Sequence, residues 1–195
     1  MIDALNSCLA TGACAPQLID RIEVYGPKNL FVQHMDRRPL SVMGAPYSLP
    51  ITVAVALLLD PRSPDSFNEA AIVRQDVLEI ADKVHGLMDP DLEALYPSRL
   101  GVRVRLHFVD ATVLENTVLD SSGSPGNPLD HAGYEKKFRA LTDGVLTQYM
   151  QRELLSTIEV IEFQPTVTAL CDLLSKPLAR LGETPKQSAD FEVKP

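Results

Sequence analysis

The sequence has few basic residues, and this shortage excludes several classes of partner. Lys and Arg together number 18 against 26 Asp and Glu, which gives the 195-residue chain a formal net charge of −8. Nucleic acids and anionic membrane surfaces are bound by clustered Lys and Arg side chains that displace counterions. We therefore predict that the protein binds neither nucleic acid nor membrane, and that an anionic ligand would need a local basic pocket.

Cysteine is also scarce, and no segment has the character of a membrane anchor. Cys8, Cys14 and Cys171 fit neither a CxxC pair nor a set of zinc ligands, so reduced thiols are predicted. The most apolar run begins near Pro50 and has about 12 residues, whereas a bilayer-spanning helix needs about 20. The N-terminus has an early acid and no basic segment, so it is not a signal peptide. We expect a cytoplasmic protein without metal or cofactor.

The apolar run that follows Ser48 predicts the central helix of the fold. The Ser48 hydroxyl can accept a hydrogen bond from an amide of the first turn, and Pro50 is tolerated there because its missing N–H would be unpaired anyway. The next residues are small or apolar on every face, which is typical of a helix that is buried all round. We predict a core helix that starts at about Ser48.

The clearest strand pattern runs from Val102 to Phe108, where apolar and polar side chains alternate with a period of two. A short connection joins this strand to a second one at residues 113–119, which predicts a β-hairpin. Residues 17–26 predict another strand, and residues 84–88 an extended segment. With the helices this indicates an α+β fold, a small and mostly antiparallel sheet with a β-hairpin, packed by helices.

Helical spacing of apolar residues recurs in both halves of the chain. Between the predicted elements, residues 28–46 and 121–128 form two long loops without a period, and Asp89-Pro90 ends a segment. We predict one domain at residues 1–175 and a polar, flexible tail at residues 176–195. The remaining predicted helices lie at residues 2–10, 76–84, 130–141, 145–155 and 167–174.

Two groups of residues are candidates for binding an anion. Arg103 and Arg105 share one strand face with His107 and could hold a carboxylate, or they could form a solvated face paired with Glu115. The first amides of the core helix could also face an anion, with simple capping as the alternative. The four histidines have no metal or catalytic spacing, and no Ser/His/Asp set or paired acids stand out. Catalytic residues therefore stay unassigned from the residues alone.

Three blocks of the sequence resemble the MmgE/PrpD family, which includes 2-methylcitrate dehydratase and cis-aconitate decarboxylase. They are residues 45–50, residues 101–119, and residues 123–129 with 135–139. The resemblance extends over about residues 2–175 and concerns the C-terminal part of the family, a small α+β lid domain. Family members carry most catalytic residues, including a Lys and a His, in a helical domain before this part.

The sequence departs from the family pattern at two positions. Ile51 stands where the A-x-[FY]-S-x-x-Y pattern usually has Tyr, which puts any proton transfer by that tyrosine in doubt for this chain. Ala111 stands where family hairpins usually have Gly, which concerns the turn and not the chemistry.

The resemblance implies a lid subunit of a split dehydratase or decarboxylase that acts on a small di- or tricarboxylate. Its active site would lie at an interface with a separate helical subunit of the N-terminal type. Substrate-binding residues on the lid would be Tyr47, Ser48 and Asn127, with Arg99 or Arg103 nearby. Exposed apolar surface on the lid also predicts a complex, either with the helical subunit or as a homo-oligomer.

Two alternatives remain open at the level of the sequence. The chain could be a stand-alone domain, repurposed as an isomerase or cyclase or as a non-catalytic binding or assembly module. It could also be a fragment of a longer protein.

Overall fold

The computed structural model describes residues 1–10 and 15–176. Within it the chain divides into two compact units, Met1–Gly133 and Tyr134–Pro195. The single domain at residues 1–175 stays a prediction. Apart from Lys176, the predicted tail lies outside the described residues, as does Cys14.

The first unit is built on a four-stranded mixed sheet with the strand order β2-β1-β3-β4. Strands β1 and β2 run parallel, whereas β3 is antiparallel to both β1 and β4. This confirms the α+β fold, the hairpin and the mostly antiparallel sheet, and it adds one parallel pairing. The strands are β1 Ile19–Gly26, β2 Val84–Met88, β3 Val102–Phe108 and β4 Val113–Val118.

The helices of the two units differ in their burial. Those of the first unit enclose its core, whereas most side chains of the second unit's helices are partly or fully exposed. In the described part of the chain, no helix has the length and apolar character needed to cross a membrane. The helices are α1 Ile2–Ala10, α2 Lys28–Val32, α3 Leu49–Leu58, α4 Glu69–Ile72, α5 Gln75–Asp82, α6 Pro90–Leu95, α7 His131–Thr142, α8 Gln148–Glu159 and α9 Thr168–Leu174.

The core lies between α3 and one face of the sheet, as the apolar run predicted. The Ser48 hydroxyl caps α3 by accepting from the Ile51 amide at 3.1 Å. Helix α3 packs against α1 and α5, and α1 also covers β3 and β4. Alternate residues of β3 point into this core, namely Val102, Val104 and Leu106. Each such buried side chain stabilises the fold by about 1.5–3 kcal/mol.

Two predicted irregular segments contain regular structure. The prediction of an irregular connection at residues 28–46 was wrong at its start, where α2 forms without a side-chain cap. Tertiary contact explains this helix, because Phe31 packs so closely over Gly86 that a Cβ there would lie 2.4 Å from the Phe31 ring. Asp89-Pro90 does not simply end a segment either, since the Asp89 carboxylate caps α6 through the Asp91 and Leu92 amides.

The hairpin between β3 and β4 turns at Ala111, which has a φ of 66°. This left-handed conformation costs an L-residue with a Cβ about 1–2 kcal/mol. We expect Ala111→Gly to raise the free energy of unfolding by about 0.5–1 kcal/mol, after subtraction of the greater entropy of glycine in the unfolded chain. Urea unfolding followed by circular dichroism measures this change.

Ala94→Gly is the matched control for that substitution. Ala94 is exposed and lies in α6, where glycine lowers stability by about 0.5–1 kcal/mol because the native conformation is helical. A loss of stability in both variants would contradict the strain at Ala111.

Candidate functional site

The topology brings three of the five predicted site residues to one end of the sheet. Strands β1 and β2 are parallel and both finish at this end, where β3 begins and β4 finishes. We call it the carboxyl end of the sheet. Arg99 and Arg103 lie at the start of β3, and Asn127 lies in the loop after β4. Tyr47 lies beside Leu30 of α2, a helix that follows β1 directly.

Asp120 brings two of the predicted residues together. Its carboxylate pairs with the Arg99 guanidinium, whose Nε donates to Oδ1 at 3.2 Å. Its backbone carbonyl accepts from the Asn127 side-chain amide at 3.2 Å. The hydrogen bond to Asp120 raises the pKa of Arg99, which therefore stays charged. Arg99 and Asn127 are thus held by one residue that the sequence did not single out.

Arg103 is held by a different acid. It forms an ion pair with Asp89, whose side chain is almost fully buried, and its guanidinium lies 4.9 Å from the centre of the Tyr25 ring. Its Nε is buried and has no hydrogen-bond partner among the described residues. An unpaired buried donor is costly in a folded protein.

Ser48 and Tyr47 have different environments although they are adjacent. Ser48 is 2% exposed, and its hydroxyl donates to the Asp36 carbonyl while it accepts from the helix. Tyr47 is 69% exposed, and its backbone carbonyl accepts a hydrogen bond of 2.9 Å from His34 Nδ1. Of the two side chains, only that of Tyr47 is available to a ligand. A shallow depression of about 220 Å³ lies beside it, with Leu30 among its walls.

The remaining polar residues of β1 and β3 form a network on the open face of the sheet. Glu23 accepts hydrogen bonds of 2.9 Å from both Tyr25 and His107 Nε2, and Arg21 lies 3.2 Å from its other oxygen. Arg105 pairs with Glu115 at 2.5 Å. The charged side chains of this face are therefore paired with one another. This agrees with the second sequence interpretation, in which Glu115 pairs with the basic residues of β3.

The network shifts the pKa of both of its central groups. Burial raises the pKa of Glu23, but the hydrogen bonds from His107 and Tyr25 and the charge of Arg21 outweigh it, so the pKa lies below its ordinary value. Burial and the hydrogen bond to Glu23 raise the pKa of Tyr25. At neutral pH Glu23 is thus a carboxylate and Tyr25 a neutral donor.

Sequence reasoning missed four residues at the carboxyl end. Asp89 and Asp120 position the arginines, and His34 positions Tyr47. Lys28 is exposed, and among the described residues its ammonium group has no ion pair. The Asp-Pro signature of a helix cap could have identified Asp89, but no local pattern marks the other three.

The arginines of this arrangement are suited to binding carboxylates. Guanidinium, ammonium and phenol groups lie near the carboxyl end. Ile51, which stands where the family pattern has Tyr, is fully buried in the core. Within residues 1–10 and 15–176, no cluster of His, Cys, Asp and Glu could hold a metal ion.

The low pKa of Glu23 predicts a pH-dependent contribution to stability. Because the unfolded chain binds this proton more readily, the carboxylate stabilises the fold above pH 4.5, its ordinary pKa, and this contribution is lost as the pH falls through the lowered value. We expect the stability difference between native protein and Glu23→Gln to shrink on acidification. Urea unfolding between about pH 3 and pH 7 measures it. Glu69→Gln, at an exposed helical site, controls for the loss of one charge.

Parallel pH curves for the native protein and Glu23→Gln would contradict the role assigned to Glu23.

A side chain at position 126, in the loop after β4, would meet the Asp120 carboxylate. A Cβ there would lie 2.7 Å from the Asp120 carboxyl carbon. We expect Gly126→Ala to displace this carboxylate from Arg99 and to lower the free energy of unfolding by about 1–2 kcal/mol. The control is Gly44→Ala, whose Cβ would lie 3.3 Å from Ser41 Oγ, with an ordinary φ of −77°. Equal stability of the two variants in urea unfolding would show that the Asp120 contact does not constrain the loop.

A comparison with known protein families shows to which family the chain belongs. The family model for the MmgE/PrpD C-terminal domain matches residues 1–162, a range that contains all five predicted site residues. A comparison with curated proteins finds no match. Since the family model covers most of the 195 residues, the chain belongs to the MmgE/PrpD family, of which it contains the C-terminal domain.

Proposed function

We propose that the chain forms the lid of an MmgE/PrpD-type lyase, a dehydratase or decarboxylase of a small di- or tricarboxylate. In this proposal a helical partner of the N-terminal type completes the active site and supplies the proton-transfer groups. The observation that carries the proposal is the convergence of two arginines and the Asn127 amide at the carboxyl end of the sheet.

The arginines support a carboxylate substrate. A guanidinium group has five N–H donors, and Asp120 and Asp89 each occupy only part of them. The remaining donors of Arg99 and Arg103 are held in fixed orientations, which lowers the entropy cost of binding a carboxylate in a bidentate manner. Lys28 adds a third positive charge nearby. A substrate with two or three carboxylates matches this set.

The connection between α2 and α3 supports a partner chain. Three of its large apolar side chains are exposed, namely Leu40, Met43 and Tyr47, with exposed fractions of 102% for Leu40 and 78% for Met43. Exposed apolar side chains of this size mark interaction sites. A partner that covers Tyr47 would also exclude water from a substrate bound beside it.

The test begins with the native complex. The tagged chain is purified from its own source, and mass spectrometry identifies any partner chain and any trapped acid. Release of water or of carbon dioxide from small di- and tricarboxylates is then measured with the chain alone and with the partner. We expect turnover only with the partner present. Equal turnover by the isolated chain would overturn the need for a second subunit.

Tyr47 is the most accessible of the predicted binding residues. We expect Tyr47→Phe in the complex to lower kcat/KM about tenfold, because the variant loses one hydrogen bond to the substrate and keeps the ring. Tyr149→Phe is the control, since Tyr149 is similarly exposed but lies in α8 of the second unit. Identical activity of both variants would show that Tyr47 does not bind the substrate. The lid proposal itself would still be tested by the dependence of turnover on the partner.

Ile51 favours a second candidate function. Its complete burial leaves no phenol at that position of the core helix, so the family chemistry could have been lost. The chain would then act alone, as an isomerase or cyclase or as a binding or assembly module. A gene for a helical N-terminal-type chain next to this one favours the lid, whereas an isolated gene among biosynthetic enzymes favours the alternative. A cytoplasmic location, which rests on the cysteine pattern, belongs to both proposals.

A further inference from the structure

The two edges of the sheet differ in their protection. At one edge, the Val84 carbonyl of β2 points away from β1 and accepts a hydrogen bond of 2.6 Å from the Arg37 guanidinium. Residues of α2 pack against the same strand. Proteins commonly cover or charge an edge strand in this way, since its unpaired backbone groups could otherwise pair with another chain.

At the other edge, β4 presents backbone groups that have no partner. The Phe108 amide donates to the Thr112 carbonyl at 2.9 Å, so these two residues form a hydrogen-bonded pair. Along the regular register of β3 and β4, hydrogen-bonded and non-hydrogen-bonded pairs then alternate. Leu114, Asn116 and Val118 therefore bond to β3. The N–H and C=O groups of Val113, Glu115 and Thr117 point outward. Among the described residues no hydrogen bond to these outward groups is present.

Strand β4 also lacks the features that usually prevent edge pairing. It contains no proline and no lysine, and its ladder with β3 has no bulge, in contrast to the ladder of β1 and β3. Its one charged side chain, Glu115, is bonded to Arg105 at 2.6 Å. The strand is therefore regular, and its one charge is compensated by Arg105.

We propose that β4 pairs antiparallel with β4 of a second copy, so that two four-stranded sheets join across a two-fold axis at Asn116. In this register Asn116 faces Asn116 of the second copy, and their amides can donate to and accept from one another. The structure gives the Asn116 side chain no hydrogen-bond partner among the described residues, although it is half-buried.

The neighbouring pairs fit the same register. Glu115 lies opposite Thr117 of the second copy on the polar face, and Leu114 lies opposite Val118 on the core face. If the two-fold axis lay between two residues instead of at one, each residue on the core face would lie opposite a residue on the polar face of the second copy. An axis at Glu115 would place two carboxylates directly opposite, which is unfavourable. The axis at Asn116 thus gives complementary pairs, whereas the axis at Glu115 does not.

A cysteine pair tests the axis. In the proposed pairing Asn116 occupies a site without hydrogen bonds between the copies, where Cα atoms are about 4.5 Å apart and a disulfide can form. We expect Asn116→Cys to form a dimer linked through residue 116 on mild oxidation. Thr117→Cys, which faces Glu115, serves as the matched control. Mass spectrometry of peptides distinguishes this link from any that involves Cys8, Cys14 or Cys171.

Charge substitutions at Thr117 test the same register without a covalent bond. Thr117→Lys places two Lys–Glu pairs across the interface and should lower the dimer dissociation constant about fivefold, whereas Thr117→Glu should raise it by a similar factor. Sedimentation equilibrium of the full chain measures both, and thermal unfolding confirms that the variants are folded. A native chain that stays monomeric at high concentration, a link at residue 117 instead of 116, or equal effects of Lys and Glu would each overturn the proposal.

Discussion

Burial of the N-terminus of α3 is the constraint on which the candidate site depends. The first amides of a helix have no partners within the helix, and here they lie where water has little access. The chain meets this requirement with its own preceding segment, since Ser48 caps the helix and the Leu49 amide donates to the His34 carbonyl at 2.7 Å. Ser48 also donates to the Asp36 carbonyl. The same hydrogen bonds fix the connection that carries Tyr47 to the surface.

The charged groups at the carboxyl end follow a common pattern, in which an acid holds each arginine. Such a pair contributes little net stability at an exposed site, because the Coulomb energy is offset by side-chain entropy and desolvation. Its main effect is to restrict the guanidinium to one orientation. Under the proposed function, this restriction would lower the entropy lost when a carboxylate binds. Asp89 and Asp120 thus position the two arginines.

The single parallel pairing in the sheet has consequences at both ends of the fold. Because β1 and β2 run in the same direction, α2 and α6 begin at the same end, and the capping residue Asp89 comes within reach of Arg103. It also places β2 at an edge that residues 28–37 cover, and it leaves β4 at the opposite edge. The site and the unpaired edge thus follow from one topological choice.

The sequence by itself determined the elements whose signals are local. The Ser48 cap, the apolar run of α3 and the alternation in β3 each act over a few residues, so they specify a core helix and a hairpin without other information. Ala111 marked an unusual turn for the same reason. Only the tertiary structure decided which side chains meet. Arg99 and Asp120 are 21 residues apart and Glu23 and His107 are 84 apart, and no periodicity records such contacts. Helix α2, which has no side-chain cap, packs on β2 through Phe31, and the parallel direction of β2 depends on the path of the intervening chain.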